Sequence, residues 1–208
     1  MKLYDYAASA NCYKVRLLLA QLERPYERIP IDIFGGDTLT EEYAAKNPAR
    51  ATPVLETDDG RFLPESNAIL LFLAHGTPFL PSDPFEVAQV VRWLLFEQTD
   101  VMMTMGGLRF RLLTGRFAPD SPDAVRRRAG AEEALGLLDH HLTARSFLAG
   151  GAYTIADATH VLTPRGLRRN RSPYALYRRL ANASETRPAL RPAVRAAKTV
   201  YRWVRNRA

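Results

Sequence analysis

The sequence predicts an α/β layer of about 80 residues in the order β-α-β-α-β-β-α, followed by an all-α domain. Strand-like and helix-like segments alternate at the start of the chain, and a hairpin signal follows them. Beyond a proline-rich stretch, the apolar periodicity becomes wholly helical. These observations divide the chain into a first domain (1–76), a linker (77–84) and a helical domain (85–208).

The first half of the α/β layer is a parallel β-α-β unit. Lys2–Tyr6 and Tyr26–Ile31 are predicted strands, rich in aromatic and branched residues. Between them, apolar residues follow the i, i+3, i+4, i+7 spacing of a helix face: Val15, Leu18, Leu19 and Leu22. Leu39–Lys46 is predicted as a short, irregular helix after a glycine-rich loop.

The second half is a hairpin followed by a helix. Val54–Thr57 and Arg61–Leu63 flank Asp58-Asp59-Gly60, and Asp-Gly favours the positive φ values of tight turns. A helix over Asn67–His75 is predicted to end at Gly76. Ser66 would cap it, where free N–H groups and the helix dipole favour an anion.

The second domain contains two long helices. Phe85–Leu113 and Asp123–Leu142 carry helical apolar spacing, with a kink predicted at Gly106-Gly107. Thr154 and Asp157 form a capping-box pattern, with Asp in place of the usual Glu, and mark a further helix start.

The charge is unevenly distributed along the chain. A net charge of +7 would by itself suggest nucleic acid as a partner. Residues 160–208, however, carry twelve Arg, one Lys and one acid (net +12), while the other 159 residues carry 16 basic and 21 acidic side chains (net −5). We therefore expect no nucleic-acid partner for the body of the protein.

Several classes of protein are disfavoured. No segment resembles a signal peptide or approaches the roughly 20 apolar residues of a membrane span, so a cytoplasmic location without membrane contact is expected. Cys12 is the only cysteine, which excludes an intramolecular disulfide and disfavours a cysteine-built metal site. His140 and His141 point about 100° apart on a helix, so no metal site is predicted.

The domain order resembles the cytosolic glutathione transferase family, especially its bacterial, serine-type members. The resemblance covers about residues 1–159 and is carried by Ser9–Arg16, Asn47-Pro48, Thr52–Leu55, Glu65–Ile69, Trp93, Phe96–Gln98 and Tyr153–Asp157. It implies a thioredoxin-like first domain that binds glutathione as co-substrate, no other cofactor, a small electrophilic substrate and a homodimer.

Four residues are implied by this resemblance to bind glutathione. Pro53 would follow a cis peptide bond, and the backbone of Thr52 would pair with the cysteinyl unit like an added strand. Ser66 would donate to a carboxylate at the γ-glutamyl end, and Glu65 would accept from the ammonium group. The alternatives are a proline that merely starts a strand, a plain helix cap and a solvated acid.

Ser9, Asn11 and Cys12 are the candidates for stabilising the glutathione thiolate. The thiol of glutathione has a pKa of about 8.5, and a hydroxyl plus a helix N-terminus could lower it by roughly one to two units. Ser9 and Cys12 occupy the ends of a C-x-x-C-like spacing, so Ser9 is expected to meet the sulfur and Cys12 to be sheltered. A Cys12 donor would favour mixed-disulfide chemistry instead.

The predicted activity is attack of this thiolate on a small electrophile, or on a peroxide or disulfide. We expect the electrophile between the domains, near the first long helix. The candidates for its apolar wall, or alternatively for helix-packing core, are Met102, Met103, Met105 and Phe110. The run Arg126-Arg127-Arg128 indicates a solvated face rather than a binding patch. A non-catalytic binding module of the same fold is the main alternative function.

The chain departs from the family pattern after Asp157. Pro164 would end the next helix early, and residues 160–208 are rich in Arg, Ala and Pro. Such composition is typical of a reading-frame shift in a GC-rich gene, a hypothesis that sequencing the locus would decide. A second alternative function is a basic tail that binds nucleic acid or anionic lipid.

Overall fold

The structure, a computed structural model, describes residues 1–159, apart from the side chain of Leu113. It divides into one unit of Met1–Thr77 and a second unit that begins at Pro78. The predictions for residues 160–208, including the early helix end at Pro164, the reading-frame hypothesis and the basic tail, lie outside the described residues.

The first unit contains a four-stranded mixed sheet. Its strands are β1 (Lys2–Asp5), β2 (Glu27–Pro30), β3 (Val54–Glu56) and β4 (Phe62–Pro64). The spatial order is β2-β1-β3-β4, with β1 parallel to β2 and antiparallel to β3, and with β3 antiparallel to β4. The predicted thioredoxin-like α/β class is therefore confirmed.

Three α-helices accompany this sheet: α1 (Ala10–Gln21), α2 (Glu41–Lys46) and α3 (Ser66–Ala74), with a 3-10 turn over Asp37–Leu39 before α2. Helices α1 and α3 pack against each other. The predicted apolar face of α1 is confirmed for Val15, Leu18 and Leu19, which are fully buried, whereas Leu22 is half-buried because it lies at the C-cap. The core contains Leu3, Val15, Leu18, Leu19, Leu55, Ile69, Leu70 and Leu73.

The predicted hairpin joins β3 to β4. Thr57 donates its N–H to the Arg61 carbonyl at 2.9 Å, which leaves a three-residue loop of Asp58, Asp59 and Gly60. Gly60 has φ +80°, the left-handed conformation that closes a three-residue hairpin loop. A side chain at this position would be strained, so the sequence places glycine where the turn requires it.

The second unit is helical, with α4 (Pro84–Phe96), α5 (Gly107–Leu113), α6 (Pro122–His141) and α7 (Ile155–Thr159). Two of these helices begin with proline directly after a side-chain cap. Asp83 accepts from the Glu86 N–H at 2.9 Å, and Ser121 accepts from the Ala124 N–H at 3.3 Å. Pro84, in the predicted linker, is the first residue of α4 because proline is preorganised for that position.

The single helix predicted over Phe85–Leu113 is not continuous in the α form. Glu97–Gly106 is a π-helical segment, and the Gly107 N–H donates to the Met102 carbonyl five residues earlier. Within the segment, the hydroxyls of Thr99 and Thr104 donate to the carbonyls of Leu95 and Asp100. These side-chain bonds compete with the α-helical pattern, and spacing alone did not reveal that competition.

The predicted helix start at Thr154 is confirmed at α7. The carboxylate of Asp157 accepts from the N–H groups of Thr154 and Leu148, each at 2.9 Å. Burial raises the pKa of Asp157 despite these bonds. One side chain therefore caps α7 and also holds the preceding loop.

Candidate functional site

Ser9 is the N-cap of α1. Its backbone is extended (φ −76°, ψ 129°), and its Oγ accepts from the Cys12 N–H at 3.3 Å. The side chain is half-buried, and this bond does not use the hydroxyl hydrogen. The hydroxyl can therefore act as a hydrogen-bond donor while its oxygen caps the helix.

Cys12 lies one turn further along α1 and is fully buried. Burial and the charge of Asp5 raise the pKa of its thiol to about 11, against hydrogen bonds with Ser9 and Thr52 that lower it. The fold thus brings Ser9, Cys12 and Thr52 together, although Thr52 is 40 positions from Cys12 in sequence. A neutral, sheltered thiol suits packing better than thiolate chemistry.

Alkylation of Cys12 is expected to be slow in the folded protein. With a pKa of about 11, only about one thiol in a thousand is ionised at pH 8, and its side chain is also inaccessible. We expect iodoacetamide to react at least about 100-fold more slowly than with free cysteine. Mass spectrometry measures this rate without ambiguity because Cys12 is the only cysteine.

The same reaction in concentrated urea is the control, where Cys12 should react as an ordinary thiol. Fast alkylation of the native protein would show that the thiol is accessible, and would return Cys12 to the candidates for a reactive group.

Asn11 is the second residue of α1. Its Oδ1 atom is buried and has no hydrogen-bond partner among residues 1–159. A buried acceptor without a donor is costly, and such atoms often await a ligand or ordered water.

The Thr52–Pro53 peptide bond is cis, as the family resemblance implies. It directly precedes β3 and lies next to the start of α1, since Thr52 interacts with the Cys12 thiol. The two segments that the resemblance associates with the glutathione cysteinyl unit are therefore adjacent.

The start of α3 differs from the prediction for Ser66. Glu65 occupies the cap position with φ +70° and ψ 110°, and Ser66 is the first helical residue, 2% exposed. The cap position is taken one residue earlier because the chain turns into the helix at Glu65. The Ile69 N–H bonds to the Glu65 carbonyl at 2.9 Å, so the N–H of Ser66, in the first turn, has no intrahelical acceptor.

The conformation of Glu65 is itself informative. A non-glycine residue in this region costs about 1–3 kcal/mol and is found mainly at functional sites. The Glu65 side chain is exposed, so its carboxylate is accessible to a cation. This strain could not be read from the sequence, because Glu is ordinary in the first turn of a helix.

One group of residues beside Ser9 was missed by the sequence analysis. Asp5 is completely buried and pairs through one oxygen with Arg16 and through the other with Arg28. Arg16 also donates to the Ala7 carbonyl at 3.0 Å, within the turn that leads to Ser9. The signal was available, because Asp5 falls on the buried side of β1 in alternation with Leu3.

Within residues 1–159, no three His, Cys, Asp or Glu side chains are grouped to hold a metal ion. No helix in the same range combines the length and apolarity needed to cross a bilayer.

The chain is similar to known proteins along most of its length. Residues 3–78 match the family model "Glutathione S-transferase, N-terminal domain". Elongation factor 1-gamma from Sus scrofa is 34% identical over 170 residues, which covers 77% of this chain. The chain spans only 38% of that relative's length.

Two further relatives match along most of their own length. Glutathione S-transferase 3 from Zea mays is 31% identical over 172 residues, covering 79% of this chain and 77% of the maize protein. A glutathione S-transferase structure from Pseudomonas fluorescens is 34% identical with a TM-score of 0.72, covering 93% of this chain and 92% of the other. Because likeness of this degree extends through both units, the chain belongs to the glutathione S-transferase family.

Proposed function

We propose that this protein is an enzyme that activates the glutathione thiol for attack on a small electrophile. The observation that carries the proposal is Ser9: a half-buried hydroxyl that caps α1 through its oxygen atom, in a bond that does not use its hydrogen. Cys12, another candidate in the same turn, is fully buried, and the pKa of its thiol is raised. Ser9 is therefore the proposed donor to the glutathione sulfur.

The chemistry required of Ser9 is modest. A hydrogen bond to a charged acceptor contributes about 1.5–3 kcal/mol, and one pKa unit corresponds to about 1.4 kcal/mol. One hydroxyl can thus lower the thiol pKa from about 8.5 to near neutrality. The thiolate then forms a carbon–sulfur bond as the leaving group departs with the bonding electrons, while the thiol proton passes to solvent.

The other end of glutathione is assigned to α3. Ser66 supplies an N–H without an intrahelical acceptor and a hydroxyl, both suited to a carboxylate. Glu65, exposed in its strained conformation, is suited to the ammonium group. The middle of glutathione is assigned to Thr52 and Asn11. Thr52 would contribute its backbone, and Asn11 its amide oxygen, which has no hydrogen-bond partner among residues 1–159.

The electrophile wall is proposed on the π-helical segment and α5. Met103 is 56% exposed and Phe110 is 36% exposed, while Met102 and Met105 are half-buried. None of the four is a buried core residue, so the helix-packing alternative explains them less well than an adaptable apolar surface.

Binding of glutathione is expected to weaken about tenfold in Ser66→Ala, because a hydrogen bond to a carboxylate is lost. Isothermal titration calorimetry measures the affinity directly. Thr40→Ala is the matched control, since it removes a hydroxyl from the start of α2, where Thr40 accepts from the Tyr43 N–H at 3.2 Å. It should leave the affinity within about twofold; equal losses in both variants would contradict the assignment of Ser66.

Retention on glutathione-agarose, paired with turnover of a generic aryl halide, tests the function as a whole. We expect the natural chain to be retained and to catalyse conjugation. Failure in both assays would overturn the proposal.

Retention without turnover would instead favour a non-catalytic module. The likeness to Elongation factor 1-gamma, a protein not named for a transfer reaction, is the observation that supports this second candidate. The homodimer and the cytoplasmic location stay predictions.

A further inference from the structure

Two arginines of the second unit, Arg111 and Arg127, have no acidic partner among the described residues 1–159. Arg111 lies near the end of α5 and Arg127 lies in the first turns of α6. Their neighbour Arg126 differs, because it is exposed and pairs with Asp123. The sequence prediction that residues 126–128 form one solvated face therefore holds only for Arg126, since Arg127 and Arg128 are half-buried.

Backbone carbonyls account for only part of the hydrogen-bonding capacity of this pair. Arg111 Nη1 donates to the Gly107 carbonyl at 3.2 Å, and Arg127 Nη1 donates to the Met103 carbonyl. Each guanidinium has five N–H donors, so most of them are not used by these bonds. Capping of carbonyls around the π-helical segment explains the positions of the side chains. It does not explain why two positive charges lie together without a carboxylate of residues 1–159 paired to them.

The two guanidinium groups lie close together, beside Gly107. A Cβ atom at Gly107 would lie 3.0 Å from Arg111 Nη1 and 3.5 Å from Arg127 Nη1. The two nitrogens are therefore no more than about 6.5 Å apart. Like charges at this separation repel each other, and an anion between them would remove that repulsion.

An aromatic ring borders the same pair. The guanidinium carbons of Arg111 and Arg127 lie 5.6 Å and 5.9 Å from the ring centroid of Phe117. Nearby in sequence, Arg116 lies over Phe110 at 5.4 Å. The pair thus combines two cations with a half-buried apolar flank.

We propose that Arg111 and Arg127 form a binding site for a small anion with two or more acidic oxygens, of the phosphate type. Two planar guanidinium groups match the spacing of such oxygens and hold them by paired hydrogen bonds. The anion is either free phosphate or a phosphate carried on an aromatic group that contacts Phe117. The site lies within the second unit and does not depend on glutathione chemistry.

Calorimetric titration of the full chain with inorganic phosphate and with phenyl phosphate, at low ionic strength, tests the site. We expect Arg111→Gln and Arg127→Gln each to weaken binding about tenfold or more, because a charge-assisted pair of bonds is lost. Arg126→Gln, which removes the same charge from the adjacent position, should change binding less than about twofold. Tighter binding of phenyl phosphate than of phosphate identifies the aromatic form as the ligand, and equal binding identifies the free anion.

A second measurement applies even if the variants fail to fold. Phenylglyoxal modifies accessible arginines, and peptide mass spectrometry locates the modified positions. In the natural chain, phenyl phosphate should protect Arg111 and Arg127 at least about threefold and leave Arg126 unprotected. Equal loss of affinity in Arg126→Gln and Arg127→Gln, or equal protection of all three arginines, would overturn the proposal, since both results indicate diffuse charge attraction.

Discussion

Replacing Ser9 with alanine is expected to lower kcat/KM for glutathione conjugation about 100-fold. The loss corresponds to about 2.7 kcal/mol of transition-state stabilisation, the range for a hydrogen bond to a developing anion. Without the hydroxyl, the pKa of bound glutathione should move back toward about 8.5, so the activity of the variant should rise at higher pH than that of the natural protein. Steady-state rates across pH measure both effects.

Ser121→Ala is the matched control for the structural part of this change. Ser121 caps α6 as Ser9 caps α1, with an Oγ-to-N distance of 3.3 Å in both cases. Each substitution should cost about 1 kcal/mol of stability, but only Ser9→Ala should shift the pH profile. An unchanged profile in Ser9→Ala, with Cys12→Ala inactive, would contradict the proposed donor.

Asp5→Asn is expected to destabilise the first unit by about 3 kcal/mol. Asp5 is completely buried between Arg16, which is 8% exposed, and Arg28, which is 28% exposed. Removing one partner of a buried ion pair leaves uncompensated charge, a more costly change than the loss of the attraction itself. The urea concentration at which Cys12 becomes open to rapid alkylation is the midpoint for unfolding of the first unit, because the only cysteine lies in α1.

Asp59→Asn provides the comparison for that experiment. Asp59 pairs with Arg61 on the hairpin loop, where the two side chains are 56% and 77% exposed. An exposed pair contributes little to stability because solvent screens it, so the midpoint should hardly move. If both variants shifted the midpoint equally, the buried ion pairs of Asp5 would contribute no more to stability than the exposed pair of Asp59 and Arg61.

The sequence predicted those features that depend on neighbouring residues. The hairpin at Asp58-Asp59-Gly60, the buried face of α1 and the start of α7 at Thr154 all follow from turn chemistry, apolar period and capping. Ser66 was misplaced by one position because the cap depends on the backbone angle of Glu65, which the residue type does not reveal.

The features that needed the structure depend on burial and on residues distant in the chain. The pKa of Cys12 follows from desolvation and from Asp5 and Thr52. The ion cluster of Asp5, Arg16 and Arg28 joins β1, β2 and α1, which are separate in sequence. Likewise, Arg111 and Arg127 approach each other because α5 and α6, which carry them, are in contact.

The sequence by itself therefore determined the family, the α/β class and the small set of residues around Ser9 and Ser66. The tertiary structure decided which of these side chains keep contact with solvent and which lose it. The physical reason is that local conformation follows from short-range sterics and hydrogen bonds, whereas charge, acidity and reactivity follow from distances and solvent access that only the folded chain establishes.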